Sequence, residues 1–250
     1  MNTPRQITFT AIEEIPFIHA GDNLADIIHS KAKNMGLQIE DGDIFVLAQK
    51  IVSKAEGRLI DLRSITPRFR AKVIASKVDK DPRLIELILR ESKRVLRLRK
   101  GLIIVEHRNG FVCANAGIDH SNSTGGAESD HFVLLLPENP DHSAQILRNR
   151  LEALFQKRLG VLIIDSHGRA WRNGTVGTTI GISGLPGLVD LRGKSDLFGY
   201  KLRVTQVGAA DELAAGASLL MGQADESLPC ILARGFPYAL RETHLSELIR

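Results

Sequence analysis

The sequence has 250 residues, of which 43% are hydrophobic and 25% charged, a composition that excludes a disordered chain and allows a substantial hydrophobic core. Its net charge of +4 is no more than solubility requires, and its two cysteines exclude a disulfide framework. The N-terminus has no apolar signal core and no apolar run approaches the roughly 20 residues that span a bilayer, so we expect a cytoplasmic protein that does not enter membranes.

The first 82 residues alternate between helical and strand patterns. Apolar spacing from Leu24 to Met35 predicts a helix with Asp22 as its N-cap, and Ile44 to Leu47 reads as a strand. Thr66-Pro67 and Asp81-Pro82 each combine a capping side chain with proline at the first helical position. Both dipeptides therefore predict the start of a helix.

A basic segment precedes a predicted hairpin. Residues Arg83 to Lys100 are rich in arginine and lysine and are interpreted as a helix with a solvated face, because the aromatic residues that stack on bases are absent there. We therefore expect no nucleic-acid partner. Leu102 to Val105 and Phe111 to Ala114 flank Asn109-Gly110, the dipeptide typical of a two-residue hairpin turn.

The C-terminal half mixes short strands with long helices. Its predicted elements are a strand at Phe132–Leu136, a helix at Asp141–Arg158, strands at Val161–Ile164 and Leu202–Val207, a helix at Ala209–Met221 ended by Gly222, and a strand at Cys230–Ala233. Hairpins next to helices predict an α+β fold with mixed sheets rather than a regular parallel sheet.

Gly193-Lys194-Ser195 looks like the end of a phosphate-binding P-loop. The motif needs a glycine five positions before Gly193, where the sequence has Leu188, and Gly187 is one residue too far. A nucleotide would therefore have to bind through another architecture.

Two polar clusters follow predicted strands and contain Asp119 and Asp165. Their carboxylates suit Mg²⁺ or Mn²⁺, and the nearby Ser166 hydroxyl and Asn122 amide suit a metal or a phosphate. Turn or cap residues, or an acid/base pair as in glycosidases, are the alternatives. The neighbouring histidines, 120 and 167, are interpreted as exposed loop residues.

A third cluster follows the Ile44 strand. Lys50 and Lys54 are four residues apart, so one helical turn would direct both ammonium groups to the same side, where they could contact a triphosphate. A basic surface turn is the alternative. The five glycines between Gly174 and Gly187 are typical either of a loop against a ligand or of tight turns.

Five stretches together resemble one known family, the coenzyme F420-0:L-glutamate ligases (F420 γ-glutamyl ligases), and they run in family order over nearly the whole chain. They read GDIFVLAQKIVSKAEGR, NAGIDHSN, VLIIDSHGRAWRNGTVGTTIGISG, DLRGKSDLFGYKL and ADELAAGASLLMGQADESLP. The most specific feature is the combination of NAGID-x-SN with D-[ST]-x-GR-x-x-R-x-G.

The resemblance implies a reaction and its participants. GTP would phosphorylate the carboxylate of the phospholactyl arm of F420-0, and the amine of L-glutamate would attack the acyl phosphate. A second glutamate could follow by γ-linkage. The implied cofactors are two Mg²⁺ or Mn²⁺ ions and potassium, because the charge on the transferring phosphoryl group must be neutralised.

The resemblance also implies residue roles. Asp119 and Asp165 would be catalytic ligands of one metal, and Ser166 and Gln223 would bind a second. The implied GTP site consists of Glu13, Glu14, Ile15, Pro16, Gln49, Lys50, Lys54, Asn122, Met221, Gly222, Gln223, Ala224, Asp225, Glu226, Ser227 and Leu228. Ser166 replaces a common threonine, and Gln223 replaces a common acidic residue, which weakens the second metal site.

The family fold implies two domains and an intertwined homodimer. Residues 1–80 and 195–250 would form a nucleotide-binding part, and residues 81–194 an inserted metal and substrate part. Two other functions remain open: a metal-dependent phosphohydrolase that uses the same aspartates, and a GTP-binding relative without turnover. An RNA-binding protein is a third alternative and would rest on the basic segment alone.

Overall fold

A computed structural model describes residues 5–120 and 129–250, and within these ranges the chain forms six α-helices and twelve β-strands. The helices are α1 (Leu24–Asn34), α2 (Gln49–Ala55), α3 (Phe69–Val78), α4 (Pro82–Arg90), α5 (Pro140–Phe155) and α6 (Ala209–Met221). The strands are β1 (Thr8–Ala11), β2 (Ile44–Ala48), β3 (Leu59–Asp61), β4 (Ser92–Arg99), β5 (Leu102–His107), β6 (Val112–Ala114), β7 (Phe132–Leu134), β8 (Gly160–Gly168), β9 (Thr175–Ser183), β10 (Val189–Asp190), β11 (Gln206–Val207) and β12 (Cys230–Arg234).

The main sheet has five strands in the order β1-β12-β2-β8-β9. Strands β2 and β8 are parallel, and every other neighbouring pair is antiparallel. Smaller sheets are formed by β4-β5-β6, β3-β7 and β10-β11. The prediction of an α+β fold with mixed sheets is therefore confirmed.

The two central strands are buried on both faces, which explains their continuous apolar sequences. Phe45 and Val161 point to the face covered by α1 and α5, and Val46 and Leu162 to the face covered by α6. Gly181 on β9 lets α5 pack closely, because a Cβ there would lie 2.5 Å from the Pro140 carbonyl oxygen. Two of the five glycines from 174 to 187, Gly177 and Gly181, thus lie in a packed strand rather than in a ligand loop.

A second core lies between α3, α4 and one face of the three-stranded sheet. Ile85 and Ile88 of α4 pack there with Ile103 and Val105 of β5. Phe111 packs against this core and against both cores of the main sheet. The proposed division into residues 1–80 with 195–250 and residues 81–194 stays a prediction.

Several local predictions are confirmed. The hairpin aligns Val105 with Cys113 in an antiparallel register, and Asp81 caps α4 by accepting a hydrogen bond from the Arg83 amide at 2.7 Å. Helix α6 covers the predicted residues. Cys113 and Cys230 are free and buried, and burial raises the pKa of Cys113 to about 12.

Two predicted helix starts are wrong. Asn23, not Asp22, caps α1, since the Asp22 carboxylate instead accepts a hydrogen bond from the His19 amide at 2.7 Å. Helix α3 begins at Phe69, two residues after Pro67, because the Arg68 amide donates to the buried Glu86 carboxylate at 3.0 Å and fixes the chain before the first turn.

The predicted lengths of one helix and one strand are also wrong. The basic segment is helical only to Arg90, and Ser92–Arg99 forms β4 because the neighbouring β5 supplies its hydrogen-bond partners. Only Gln206 and Val207 of the predicted strand at Leu202–Val207 are in a sheet, since Leu202 instead makes turn hydrogen bonds with residues 193 and 194. Among the described residues, no helix has both the length and the apolarity needed to cross a membrane.

A buried ion pair joins the end of β12 to the turn before β2. Asp43 is 1% exposed, and both of its carboxylate oxygens accept hydrogen bonds from Arg234, at 2.8 and 2.6 Å. Arg234 also contacts the Glu40 carboxylate at 2.6 Å. The pair therefore holds two adjacent strands of the main sheet together at the edge opposite the ends of β2 and β8.

We expect Arg234→Ala to lower the free energy of unfolding by about 3 kcal/mol, because the variant leaves the Asp43 carboxylate buried without its partner. This is the lower end of the usual range, since Arg234 is 35% exposed. Urea denaturation measures the change. Lys100→Ala, which removes an exposed ion pair with Asp79, is the control and should leave the midpoint unchanged. Equal effects of the two variants would contradict the prediction.

Candidate active site

One edge of the main sheet opens into a cleft of about 2120 Å³. Strands β2 and β8 run parallel, so both carboxyl ends lie at this edge. Strand β12 is antiparallel to β2 and starts there, and β1 is antiparallel to β12 and ends there. Segments that are far apart in sequence therefore meet at one edge.

Most of the predicted site residues line this cleft. They are Ile15, Pro16, Gln49, Lys50, Lys54, Asp119, Asp165, Ser166, Met221, Gly222, Gln223, Ala224, Asp225, Glu226, Ser227 and Leu228. Glu13 and Glu14 do not line it, and the Glu14 carboxylate instead pairs with Lys31 at 3.2 Å. Asn122 lies outside the described residues.

Asp119 is fixed by both its backbone and its side chain. Its amide and carbonyl bond to Leu134 of β7, at 3.0 and 2.8 Å. Its carboxylate accepts a hydrogen bond from the Gln49 amide at 2.8 Å and lies 3.4 Å from the Lys50 ammonium. Ser53 donates to the Gln49 oxygen at 2.8 Å, which turns the Gln49 amide nitrogen toward Asp119.

The charge on Asp119 is unfavourable in its surroundings. Burial raises the pKa of this carboxyl above its ordinary value of 3.8; the Lys50 charge opposes the shift and the negative charge of Asp165 adds to it. The two carboxylates thus repel each other in a partly buried site, and a bound cation would relieve this repulsion.

Asp165 lies inside a strand rather than in the loop predicted after it. Strand β8 continues to Gly168 because β9 pairs with it along its whole length, with Asp165 opposite Thr178. A register shift beside Ile164 interrupts the ladder, as β-bulges often do next to functional sites. The His167 ring lies 3.1 Å from the Asp165 carboxylate, and both side chains are largely buried.

Ser166 and Gln223, the pair expected at a second metal, are in contact. The Ser166 hydroxyl donates to the Gln223 side-chain oxygen at 2.8 Å. Their elements are 57 residues apart in sequence, so this hydrogen bond connects β8 to the loop after α6. Both groups are neutral oxygen donors, which bind a divalent ion more weakly than carboxylates do.

The loop from Met221 to Leu228 depends on Gly222. This residue ends α6 with φ of +71°, and a Cβ at this position would clash with the Glu226 carboxyl. Glu226 folds back to accept a hydrogen bond from the Ala224 amide at 2.8 Å, and this bond lowers the pKa of Glu226. The loop therefore has a defined conformation beside the cleft.

Lys50 and Lys54 lie on one side of α2 and both line the cleft. Burial lowers the pKa of Lys54, and the nearby Lys50 charge lowers it further. Two ammonium groups that repel each other on one helix favour the binding of an anion nearby.

The donor set fits a divalent cation. Asp119 and Asp165 supply hard carboxylate oxygens whose repulsion the ion would relieve, and Ser166 and Gln223 supply neutral oxygens. Across the described residues, no three His, Cys, Asp or Glu side chains form a metal-binding group. Phosphate and water oxygens would have to complete the coordination.

Several residues that line the cleft were not predicted as site residues from the sequence. His167 was interpreted as exposed, Arg97 and Arg99 lay in the segment assigned to a helix face, and Trp171 was not considered. The alternation of Asp165, His167 and Arg169 is the period-two signal that could have extended β8 and brought His167 beside Asp165.

The comparisons with known proteins agree with one another. The family model described as F420-0:Gamma-glutamyl ligase matches residues 13–235. Among similar proteins, the coenzyme F420:L-glutamate ligase of Methanothermobacter thermautotrophicus is 44% identical, over 93% of this chain and 90% of the relative. Those of Methanopyrus kandleri and Methanocaldococcus jannaschii are 46% and 44% identical, over 90% and 89% of this chain and 86% and 85% of the relatives.

We expect Asp119→Asn to melt at the same or a higher temperature than the wild type at pH 7 without metal. A carboxyl whose pKa is raised by folding stabilises the protein only below its unfolded value of 3.8, and this contribution is lost as the pH rises through the folded value. Any increase in the melting temperature of the variant over the wild type should therefore become smaller as the pH falls toward 4.

Asp41→Asn is the control, and its expected effect on the melting temperature is the opposite. The Arg158 amide lowers the pKa of Asp41, so this carboxylate stabilises the protein above pH 3.8 and the stabilisation is lost as the pH falls. Asp41→Asn should lower the melting temperature at pH 7. If Asp119 were instead a structural capping residue, Asp119→Asn would lower the free energy of unfolding by about 1 kcal/mol. Such a loss would contradict the prediction.

Proposed function

The chain belongs to the F420-0:gamma-glutamyl ligase family, and from this premise we propose that it joins L-glutamate to coenzyme F420-0, with GTP as phosphoryl donor and an acyl phosphate as intermediate. The ligase activity follows from the family and from relatives that align over most of the chain. The choice of nucleotide, the intermediate and the metal ions are our proposal.

One observation supports this proposal most strongly. Lys50 and Lys54 from α2, Asp119 after β6, Asp165 from β8 and the loop after α6 share one cleft. A phosphoryl transfer needs cations for the phosphates and carboxylates to hold a divalent ion. The cleft contains both kinds of group.

Each group has a role that its surroundings favour. Lys50 and Lys54 bind the phosphates of GTP, and the loop at Met221–Leu228 binds the rest of the nucleotide. Asp119 and Asp165 hold a Mg²⁺ or Mn²⁺ ion, which would neutralise charge on the transferring phosphoryl group. Ser166 and Gln223 offer neutral oxygens to a second ion, either divalent or potassium.

The reaction proceeds in two steps. A carboxylate oxygen of the phospholactyl arm attacks the γ-phosphorus of GTP, the bond to the β,γ-bridging oxygen breaks, and GDP leaves. The amine of L-glutamate then attacks the acyl carbon, the C–N bond forms, phosphate leaves and the nitrogen loses a proton. The chain contributes mainly orientation and charge, since it positions both reactants and Lys50 offsets the growing negative charge.

The test is to incubate the protein with F420-0, L-glutamate, GTP and Mn²⁺ and to measure product mass. We expect a gain of one glutamyl unit and lower turnover when ATP replaces GTP. Equal turnover with ATP would remove the nucleotide preference alone. GTP hydrolysis that does not depend on glutamate would favour a phosphohydrolase, and GTP binding without turnover would favour a non-catalytic relative.

We expect Asp119→Asn and Asp165→Asn each to lower glutamate-dependent GDP release by about 10²–10³-fold at saturating Mn²⁺, because each removes a negative ligand where charge develops in the transition state. Asp79→Asn changes an exposed aspartate at the C-terminus of α3, where asparagine tolerates the same left-handed backbone. This control should retain full activity. Activity within threefold of wild type in Asp165→Asn would show that the carboxylate has no role in the chemistry.

We also propose that the protein is a homodimer. The segment between β10 and β11 exposes large apolar side chains that a monomer rarely leaves in water, with Leu197 97%, Phe198 95% and Val204 85% exposed. The family resemblance supports the same assembly.

Light scattering should give a mass of twice 27.5 kDa for the wild type. Leu197→Asp combined with Phe198→Asp should give the single-chain mass, since charges in a buried apolar contact are costly. A wild type that scatters as one chain at working concentration would refute the dimer.

A further inference from the structure

The cleft is larger than one nucleotide needs. Its volume of about 2120 Å³ compares with roughly 300–1000 Å³ for ordinary ligand pockets. The proposed nucleotide residues lie on α2 and on the loops before and after the strands of the main sheet. A different wall is formed by the three-stranded sheet β4-β5-β6, and nothing in the proposed nucleotide site uses it.

This second wall combines an apolar strip with two arginines. Arg97 pairs in register with Ile104, and Arg99 with Leu102, so the four side chains share one face of the sheet. All four line the cleft, together with Val112 of β6. On the opposite face, Ile103 and Val105 are buried in the second core.

The two arginines are not neutralised by any carboxylate in the described part of the chain. Among the residues that the structure describes, no carboxylate forms an ion pair with Arg97 or Arg99. Arg94 on the same strand differs, because its guanidinium lies 2.6 Å from the Glu106 carboxylate and it does not line the cleft. Two unpaired guanidinium groups above an apolar strip are complementary to a ligand with both an anionic group and a flat apolar body.

The position of the arginines relative to Asp119 suits a long acceptor. Arg97 is opposite Ile104, which is opposite Ala114, so two strand spacings of about 10 Å in total separate β4 from β6. Ala114 leads through a tight turn to Asp119. A ligand lying across this sheet could therefore reach the reacting centre with one end while the arginines hold an anionic group.

We propose that Arg97 and Arg99 bind the anionic arm of the acceptor and that Leu102, Ile104 and Val112 contact its ring system. This inference rests on the proposed function and adds a subsite to it: Lys50 and Lys54 serve the nucleotide phosphates, and the arginines serve the phosphodiester of the phospholactyl arm. The substrate class is an aromatic compound with a phosphodiester close to its reacting carboxylate.

The test uses the full-length protein and the variants Arg97→Gln, Arg99→Gln and the double variant. The KM for F420-0 is measured at saturating GTP, L-glutamate and Mn²⁺, and the KM for GTP at saturating F420-0. Direct binding of F420-0 without GTP is followed through the fluorescence of its ring system. Thermal melts check folding, which should be unchanged because neither arginine has an ion pair to lose in the described structure.

The double variant should raise the KM and the Kd for F420-0 by about tenfold to a hundredfold, as expected for the loss of hydrogen bonds to a charged group. The KM for GTP should stay within twofold. Arg94→Gln, the matched control on the same strand, should change neither constant, and Arg97→Lys should recover part of the affinity.

Two outcomes would overturn the inference. An unchanged KM and Kd for F420-0 in the double variant would remove the acceptor subsite, and a raised KM for GTP alone would assign the arginines to the nucleotide. Failure of the proposed function is distinguishable, because wild-type protein would then form no glutamyl product. Wild-type protein that neither turns over nor binds F420-0 would overturn both.

Discussion

The parallel pairing of β2 with β8 is the constraint on which the site depends. Because these strands run in the same direction, the start of α2 and the carboxylate of Asp165 lie at the same edge of the sheet. The antiparallel pairing of β12 with β2 then brings the loop at Met221–Leu228 to the same edge. Both faces of the central strands are covered by helices, so this edge is the place where polar groups can reach solvent and ligand together.

Groups of like charge interact unfavourably at this edge. The charges of Asp119 and Asp165 oppose each other, and Lys50 and Lys54 do the same on α2. Lys50 contacts Asp119 at 3.4 Å, which links the two sets. Such an arrangement costs stability in the free protein and favours the binding of a cation to the carboxylates and of an anion to the lysines. A metal–nucleotide complex has both charges.

Local patterns predicted more of the fold than of the site. The hairpin, α4 and α6 followed from turn, cap and periodicity signals that act within a few residues, and they are confirmed. The strand β4 could not be predicted, because its arginine-rich sequence forms a strand only when β5 supplies the hydrogen bonds. For the same reason Arg97 and Arg99 were not recognised as cleft residues, and His167 was overlooked because β8 was ended at Ile164. Contacts such as Ser166 with Gln223 join residues 57 positions apart, and only the resemblance to a family suggested them.

The most direct measurement is the pKa of Asp119 in the metal-free protein, read from the pH dependence of its side-chain carboxyl resonance by NMR. Burial and the negative charge of Asp165 together predict a value above the ordinary 3.8, a lower value in Asp165→Asn, and a further decrease when Mg²⁺ is added to the wild type. A pKa at or below 3.8 that does not respond to Asp165→Asn would show that the two carboxylates do not act on each other, and would contradict the account of this edge as a metal site.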